Sequence, residues 1–241
     1  MKKVAFIYKL IPKYIPNRVV LSFFGILSAF TGKVRKRIVA LNREENEKIL
    51  DDKSNGIFDG QGFIENQNRW EKVCFGSHKK SNMSYSGCEI IATWNALMSL
   101  HGDMPKMPEL ISYFERHGAT LRGGFGIAPS APAKYMKKRG YGIKRLTSRN
   151  RDVIRAFGER YDSFMVTFYW DHENILKQLH TVNISKNGDE YFVHNIYRSQ
   201  GGRFVQSGPF MDLSEAIYRI ADKAAPLVIY GIEAFPQDRD K

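Results

Sequence analysis

The spacing of apolar residues changes along the chain, from a helical period to short strand-like runs in the last third. Helical spacing predicts helices over residues 88–101, 108–117, 131–139 and 152–161. Runs rich in β-branched and aromatic residues predict strands over residues 163–170, 180–185, 190–198, 204–206 and 227–232, with one more helix over 213–221. Helices followed by antiparallel strands indicate an α+β fold.

The first part of the chain departs from this pattern and divides into two segments. Residues 1–38 contain an apolar run over 19–30, which predicts a helix with Asn17 at its N-cap. That run has 12 residues, whereas a bilayer span needs about 20. Residues 39–79 are charged and rich in Gly and Asn, and predict a connector with one short helix over 44–50. Residues 80–241 make up the predicted domain.

A tight turn is predicted at Asn187-Gly188, the dipeptide most typical of two-residue hairpins, because both turn residues accept positive φ. Centred there, the hairpin places His180 directly opposite Asn195 on one face of the sheet. Their Cβ atoms are then expected about 5 Å apart. The alternation of side chains turns His194 to the other face, where we expect a structural histidine.

Positive charge is concentrated near the N-terminus. The chain has a net charge of +12, and residues 1–38 carry nine Lys or Arg and no acid. The body has no nucleic-acid-binding motif and no basic stripe with interleaved aromatics, so nucleic acid is excluded as an expected partner. Three interpretations of residues 1–38 stay open: a packed or regulatory helix, contact with an anionic membrane surface, and a secretion signal.

Cys88 is the candidate nucleophile. It starts an apolar helix after the small residues Ser86 and Gly87, and a helix N-terminus favours the thiolate through its dipole. A histidine within reach, held by an amide, completes a thiol nucleophile site, and His180 and Asn195 are the candidates. The alternative is that Cys88 is a small buried hydrophobic residue.

Acyl transfer also needs donors for the oxyanion. We expect one from the Cys88 backbone and another from the side chain of Asn82, six residues upstream. Gly87 and Gly124 are the candidate substrate-binding positions, Gly124 within the glycine-rich loop over 122–127. The chain has neither a CxxC nor an HExxH motif, so we expect no metal site and no cofactor.

These residues resemble the papain-like cysteine peptidases. The order of an amide, a cysteine six residues later, a histidine at the start of one strand and an amide near the end of the next is similar to that superfamily. The stretch over 87–97 is most similar to the bacterial bacteriocin-leader peptidases, which are fused to a transporter that this chain lacks. Where that family usually has Gln and Asp, this chain has Asn82 and Asn195. The resemblance covers residues 80–235 and implies a two-lobed fold, a helical lobe before a sheet lobe, with substrate in the cleft.

A cysteine peptidase acting on a peptide or protein is therefore the expected function. An idle papain-like domain that binds peptides, and an acyltransferase or transglutaminase using the same residues, are the alternatives. Since a disulfide between Cys74 and Cys88, the two cysteines of the chain, would block the nucleophile, we expect a reducing, cytoplasmic location. Membrane association and secretion are the alternatives that residues 1–38 leave open.

Overall fold

A five-stranded antiparallel sheet organises the molecule. The computed structural model describes residues 14–58, 60–78, 81–169, 179–196, 207–220 and 226–233. In chain order the strands are β1 (Gly142–Leu146), β2 (Ser163–Tyr169), β3 (Leu179–Asn187), β4 (Glu190–His194) and β5 (Pro226–Glu233). Their order across the sheet is β1-β5-β2-β3-β4, and every neighbouring pair is antiparallel.

Eight α-helices lie within the described ranges. They are α1 (Asn17–Thr31), α2 (Lys36–Asp51), α3 (Met83–Ser86), α4 (Cys88–Ser99), α5 (Met107–His117), α6 (Ala131–Lys138), α7 (Arg151–Gly158) and α8 (Leu213–Ile220). The α+β prediction is confirmed, and apart from α2 and β1 the predicted helices and strands that lie within the described residues agree with these bounds to within a few residues. The predicted strand over 204–206, the end of the one over 190–198, and residues 1–13 lie outside the described residues.

The central helix α4 is buried along most of its length. All residues from Cys88 to Leu97 are buried, because α4 packs between the sheet and the other helices. A helix that is surrounded by core on every side has apolar residues on all of its faces. This explains the run of mostly apolar residues that starts at Ile90. Strand β2 is likewise buried at every residue, and its β-branched and aromatic side chains suit a strand covered on both faces.

Side-chain alternation in β2 shows how the two faces of the sheet are covered. Thr167 and Ser163 face α4: the Ser163 hydroxyl bonds that of Ser99 at 2.7 Å. Phe164 faces the other way and its ring packs 6.3 Å from that of Phe157 in α7. Helices α7 and α8 contact each other and cover this second face. The sheet therefore lies between two helical layers.

The N-terminal helix α1 packs on the body, as one of the three interpretations of residues 1–38 predicts. Val20, Leu21 and Phe24 are buried in the common hydrophobic cluster. The prediction that Asn17 caps the helix is wrong: Pro16 holds the N-cap position. The Asn17 side chain is buried instead and donates to the carbonyls of Thr147 and Pro226, at 3.2 and 3.0 Å.

Helix α2 is longer than the short helix expected over 44–50. It starts at Lys36 and packs along α5. Its one buried amide, Asn46, accepts from the Cys74 backbone amide at 2.7 Å and donates to the Cys74 carbonyl at 3.0 Å. These bonds fix residues 73–76 beside α2, so the predicted connector carries part of the hydrophobic core. The division of the chain at residues 38 and 79 stays a prediction.

Among the described residues, no helix combines the length and the apolar composition that a bilayer span requires.

Candidate active site

Cys88 is the first residue of α4, as predicted, and it lies against strand β3. The four-residue helix α3 runs almost directly into α4, with Gly87 between them. The thiol is buried, with 7% of the residue exposed. The backbone amide of Thr181 lies against the sulfur, and Thr181 follows His180 in the chain. The structure therefore brings the Cys88 sulfur to within one residue of His180.

The partner of the thiol is a buried carboxyl group. Cys88 Sγ donates to Glu89 Oε2 at 3.1 Å, and Thr181 Oγ1 donates to Glu89 Oε1 at 3.1 Å. The Thr167 hydroxyl lies 2.9 Å from that of Thr181 and completes the chain of hydrogen bonds. Glu89 is 3% exposed, so a thiol, a carboxyl and two hydroxyls form one buried polar cluster between α4 and the sheet.

Burial dominates the electrostatics of this cluster. Burial raises the pKa of the Cys88 thiol well above its ordinary value, and the Glu89 carboxyl raises it further. The expectation that the helix N-terminus favours the thiolate is therefore wrong for this arrangement, because burial and a neighbouring acid outweigh the dipole. Burial also raises the pKa of Glu89 to about 7, against hydrogen bonds from Cys88 and Thr181 that lower it.

The raised pKa of Glu89 makes stability depend on pH. In the unfolded chain this carboxyl ionises near its ordinary value of 4.5. Between pH 4.5 and about 7 the folded protein thus holds more protons, and the free energy of unfolding falls as pH rises. We expect Glu89→Gln to remove about 2 kcal/mol of the fall between pH 5 and pH 7, measured by urea unfolding at these two pH values.

Glu115 provides the matched control. It is also buried, accepts from Asn42 and from the Gly76 amide, and burial raises its pKa to about 7. Glu115→Gln should reduce the pH dependence of the free energy of unfolding by a similar amount. The double variant should show both reductions together. An unchanged pH dependence in Glu89→Gln would contradict the assignment of a neutral, buried Glu89 below pH 7.

The hairpin turn is not where the sequence predicts it. Asn187 pairs with Glu190, so the turn residues are Gly188 and Asp189. Only Gly188 of the two has positive φ, at 61°, which is typical of a turn with glycine in the first central position. The register therefore differs from the predicted one, and the ladder places Asn183 opposite His194. The prediction that His180 pairs directly with Asn195 is wrong.

His180 nevertheless meets Asn195 through the backbone. Its Nε2 lies 3.2 Å from the Asn195 carbonyl oxygen. A carbonyl only accepts, so Nε2 carries the proton and the neutral ring has its lone pair on Nδ1. Burial lowers the pKa of His180 to about 4, although the Asn195 carbonyl raises it in part. The imidazole is therefore neutral near pH 7, in the tautomer that a base acting through Nδ1 requires.

The thiol and the imidazole lie on opposite faces of β3, because Thr181 faces α4 and bonds Glu89, so the adjacent His180 faces the other way with its ladder partner Phe168. Among the described residues, neither Cys88 nor His180 contributes to the pKa of the other. The ring of His180 packs edge-on against Phe168, with 5.7 Å between ring centroids. In this arrangement Glu89, and not His180, accepts the hydrogen bond of the Cys88 thiol.

The side chain of Asn195 contacts Gln67 instead of His180. Its Oδ1 accepts from the backbone amide of Gln67 at 3.0 Å, and its Nδ2 donates to Gln67 Oε1 at 3.1 Å. Gln67 Nε2 donates in turn to the Ser84 carbonyl in α3, at 2.8 Å. Asn195 has φ of 68°, a conformation that asparagine tolerates. The residue thus links the end of β4 to the turn before Cys88 and presents its carbonyl to His180.

His194 lies in a separate set of contacts, which agrees with its predicted structural role. Its Nδ1 donates to Glu65 at 2.7 Å and its Nε2 lies 2.8 Å from the Ser185 hydroxyl. The ring stacks on Phe63, with centroids 3.8 Å apart. The Nδ1 bond and the stacked ring hold residues 63–65 against β4, and the Nε2 bond connects the ring to β3.

Asn82 and Gly87 have local structural contacts. Asn82 caps α3, since its Oδ1 accepts from the Tyr85 amide at 2.8 Å. A Cβ on Gly87 would lie 2.5 Å from the Met83 carbonyl oxygen, so only glycine lets α3 and α4 approach this closely. No contact in the described part of the chain brings the Asn82 side chain to the Cys88 thiol. Its oxyanion role stays a prediction.

A small cavity lies beside Cys88. It measures about 30 Å³ and is lined by nine residues, Phe24, Tyr85, Ser86, Cys88, Glu89, Phe125, Gly126, Ile127 and Leu179. That is room for about one water molecule and none for a peptide. Phe24 of α1 stacks on Phe125, with 5.8 Å between centroids. The N-terminal helix therefore covers the thiol.

The glycine-rich loop borders this cavity through residues other than the predicted one. Phe125, Gly126 and Ile127 line it, while a Cβ on Gly124 would lie 2.8 Å from the ring of His78. Gly123 accepts from the Ser86 hydroxyl at 2.9 Å, which fixes the loop beside Cys88. The substrate-binding prediction for Gly124 therefore has no support from its position, and Gly126 is the glycine at the cavity.

Sequence reasoning missed Glu89, Thr181 and Gln67. The position of Glu89 could have been noticed, because it directly precedes a run of apolar helical residues. A carboxyl buried at such a position is expected to have a hydrogen-bond partner. Thr181 and Gln67 offer no signal in the sequence, since their contacts depend on how β3 and residues 66–70 dock. Within the described ranges, no three His, Cys, Asp or Glu side chains converge as metal ligands.

No family model, no curated protein and no solved structure matches the chain.

Proposed function

We propose that the protein is a papain-like cysteine peptidase in a resting arrangement, with Cys88 as nucleophile. One observation carries the proposal: the thiol starts helix α4 and touches the backbone of β3 next to His180, whose neutral ring has its lone pair on Nδ1. Thiol catalysis needs the nucleophile and the base side by side, so the working state requires that His180, which faces away from α4 at rest, turn toward the sulfur. The α+β architecture, with its nucleophile helix against an antiparallel sheet, supports the same proposal.

The proposed reaction begins with loss of the thiol proton. At rest the sulfur keeps this proton and donates it in a hydrogen bond to Glu89. Attack on a peptide carbonyl transfers the proton to His180 Nδ1 once that nitrogen comes within about 3–4 Å of the sulfur. A thiolate beside the ring raises the pKa of His180, which offsets the effect of burial. The imidazolium then protonates the leaving amine, and water attacks the thioester to release the acid and restore the thiol.

Access to Cys88 requires that the cover move. The cavity is too small for a substrate, and Phe24 with Phe125 forms its outer wall. A peptide that reaches the sulfur must displace these side chains. The proposed resting state is therefore closed both sterically, by α1, and electrostatically, by the Glu89 carboxyl.

A second candidate function is a catalytically idle domain that binds peptides. The raised pKa of the thiol favours it, since the thiol near pH 7 is then protonated and not the nucleophilic thiolate. An acyltransferase or transglutaminase would use the same nucleophile with a different acceptor.

Incubation with an unstructured protein such as casein tests these functions, with new termini identified by mass spectrometry. The peptidase proposal predicts new amino termini whose number grows with time. Amide transfer to an added amine, without new carboxyl termini, would indicate an acyltransferase. Binding of peptides without any new termini or transfer would overturn the proposal in favour of the idle domain.

A further inference from the structure

The outer face of α1 carries a stripe of exposed apolar side chains. Four large residues are spaced by four, three and four positions, so they lie on one side of the helix, with exposed fractions of 55%, 58%, 59% and 86%: Val19, Phe23, Ile26 and Phe30. The opposite side packs on the body through Val20, Leu21 and Phe24. A soluble surface rarely exposes so many aligned apolar groups without a partner.

Basic residues flank this stripe at both ends. No charged residue lies between Arg18 and Lys33, so the stripe itself is uncharged. Five exposed cations stand at its ends, Arg18, Lys33, Arg35, Lys36 and Arg37. The sequence has no acid before Glu44. Apolar groups with positive charge on both flanks are complementary to an anionic lipid surface, which offers phosphates around an apolar interior.

We propose that the outer face of α1 docks the protein on an anionic membrane surface, with the helix axis parallel to the bilayer. At about 1.5 Å per residue, the 15 residues of α1 extend about 22 Å, short of the about 30 Å of a hydrocarbon core. The helix therefore lies along the interface. Phe23 and Phe30 enter the boundary between headgroups and acyl chains, while the flanking cations contact lipid phosphates. The buried face stays packed on the body.

A second copy of the chain fits this face less well. In a twofold interface the same surface is used by both partners. The cations at the ends of α1 would then approach those of the other copy, and like charges in contact are unfavourable. Lipid phosphates neutralise the same cations, so charge favours an anionic membrane over a second copy of the chain.

Flotation of the full-length chain with lipid vesicles tests the proposal. We expect binding to phosphatidylcholine vesicles that contain phosphatidylglycerol, and little binding to phosphatidylcholine alone. Added salt should weaken binding, because the screening length falls from about 30 Å at 0.01 M to about 8 Å at 0.15 M. The double variant F23S/F30S should bind at least tenfold more weakly. Met211→Ser, which changes an apolar residue with 76% exposure on another surface, should bind like the parent.

A charge variant gives an independent result. Arg35→Glu with Lys36→Glu reverses two cations at the start of α2, where the helix dipole favours acids and the fold is preserved. We expect at least tenfold weaker binding to the anionic vesicles. Near-ultraviolet circular dichroism confirms that each variant is folded.

Two outcomes would overturn the proposal. One is absence of binding to anionic vesicles at low salt. The other is a dimer of the parent in sedimentation equilibrium that F23S/F30S dissociates, which would assign the stripe to a second copy. The proposal is independent of the peptidase function, since an inactive Cys88→Ala chain should bind vesicles unchanged.

Discussion

Replacing Cys88 with alanine should abolish hydrolysis of an unstructured protein by this chain, because no other group takes the place of the nucleophile in forming the thioester. The side chain that remains fits the same site, and the main structural cost is that Glu89 loses one hydrogen-bond donor. We expect the thermal unfolding midpoint to change by only a few degrees. New termini in casein, counted by mass spectrometry over time, measure the effect.

Cys74→Ala is the matched control for this loss. Cys74 is the other cysteine in the chain and is free, and its contacts to Asn46 use the backbone alone. The variant should therefore keep the fold and nearly all of the activity. An active Cys88→Ala beside an inactive Cys74→Ala would mean that the nucleophile has been assigned to the wrong cysteine.

Replacing His180 with alanine should lower the rate of hydrolysis roughly 10²- to 10⁴-fold, the usual contribution of a positioned base. The reason lies in the tautomer: the Asn195 carbonyl holds the proton on Nε2, so Nδ1 is the acceptor that the thiol proton needs. Steady-state rates at saturating substrate measure this loss. The variant also creates a cavity beside Phe168, so its fold should be checked by circular dichroism.

His194→Ala is the matched control on the adjacent strand. Its ring bonds Glu65 and Ser185 and stacks on Phe63, so we expect a loss of stability with little loss of rate per folded molecule. Glu89→Gln distinguishes the two proton acceptors near the thiol. An inactive Glu89→Gln beside an active His180→Ala would move the base from the imidazole to the carboxyl.

The secondary structure was predictable where burial follows from a repeating pattern. Strand β2 and helix α4 are buried throughout, and their apolar runs give their positions closely. Strand β1 was missed, because it is an edge strand whose Lys144 and Arg145 are exposed and therefore lacks an apolar pattern. Helix α2 was underestimated for a similar reason: its surface is mostly charged and only Val39 and Asn46 are buried.

The site was predictable only in part, because its chemistry depends on tertiary contacts. The helix start at Cys88 follows from a local pattern, whereas His180 meets Asn195 through a backbone contact that the predicted register does not give. The turn at Gly188-Asp189 does not, since Asn187-Gly188 is the stronger local signal and the packing of β4 selects the other register. The raised pKa of Cys88 depends on burial and on Glu89, which the helix dipole alone does not reveal.

The covalent intermediate is the most direct test of Cys88 as nucleophile. The protein is mixed with a peptide ester, quenched in acid within the first turnover, digested and analysed by mass spectrometry. If Cys88 is the nucleophile, the peptide containing Cys88 gains the mass of the acyl group, and hydroxylamine removes it, as expected for a thioester. An acyl group on Cys74, or no acyl group on Cys88 while the ester is being consumed, would contradict that assignment.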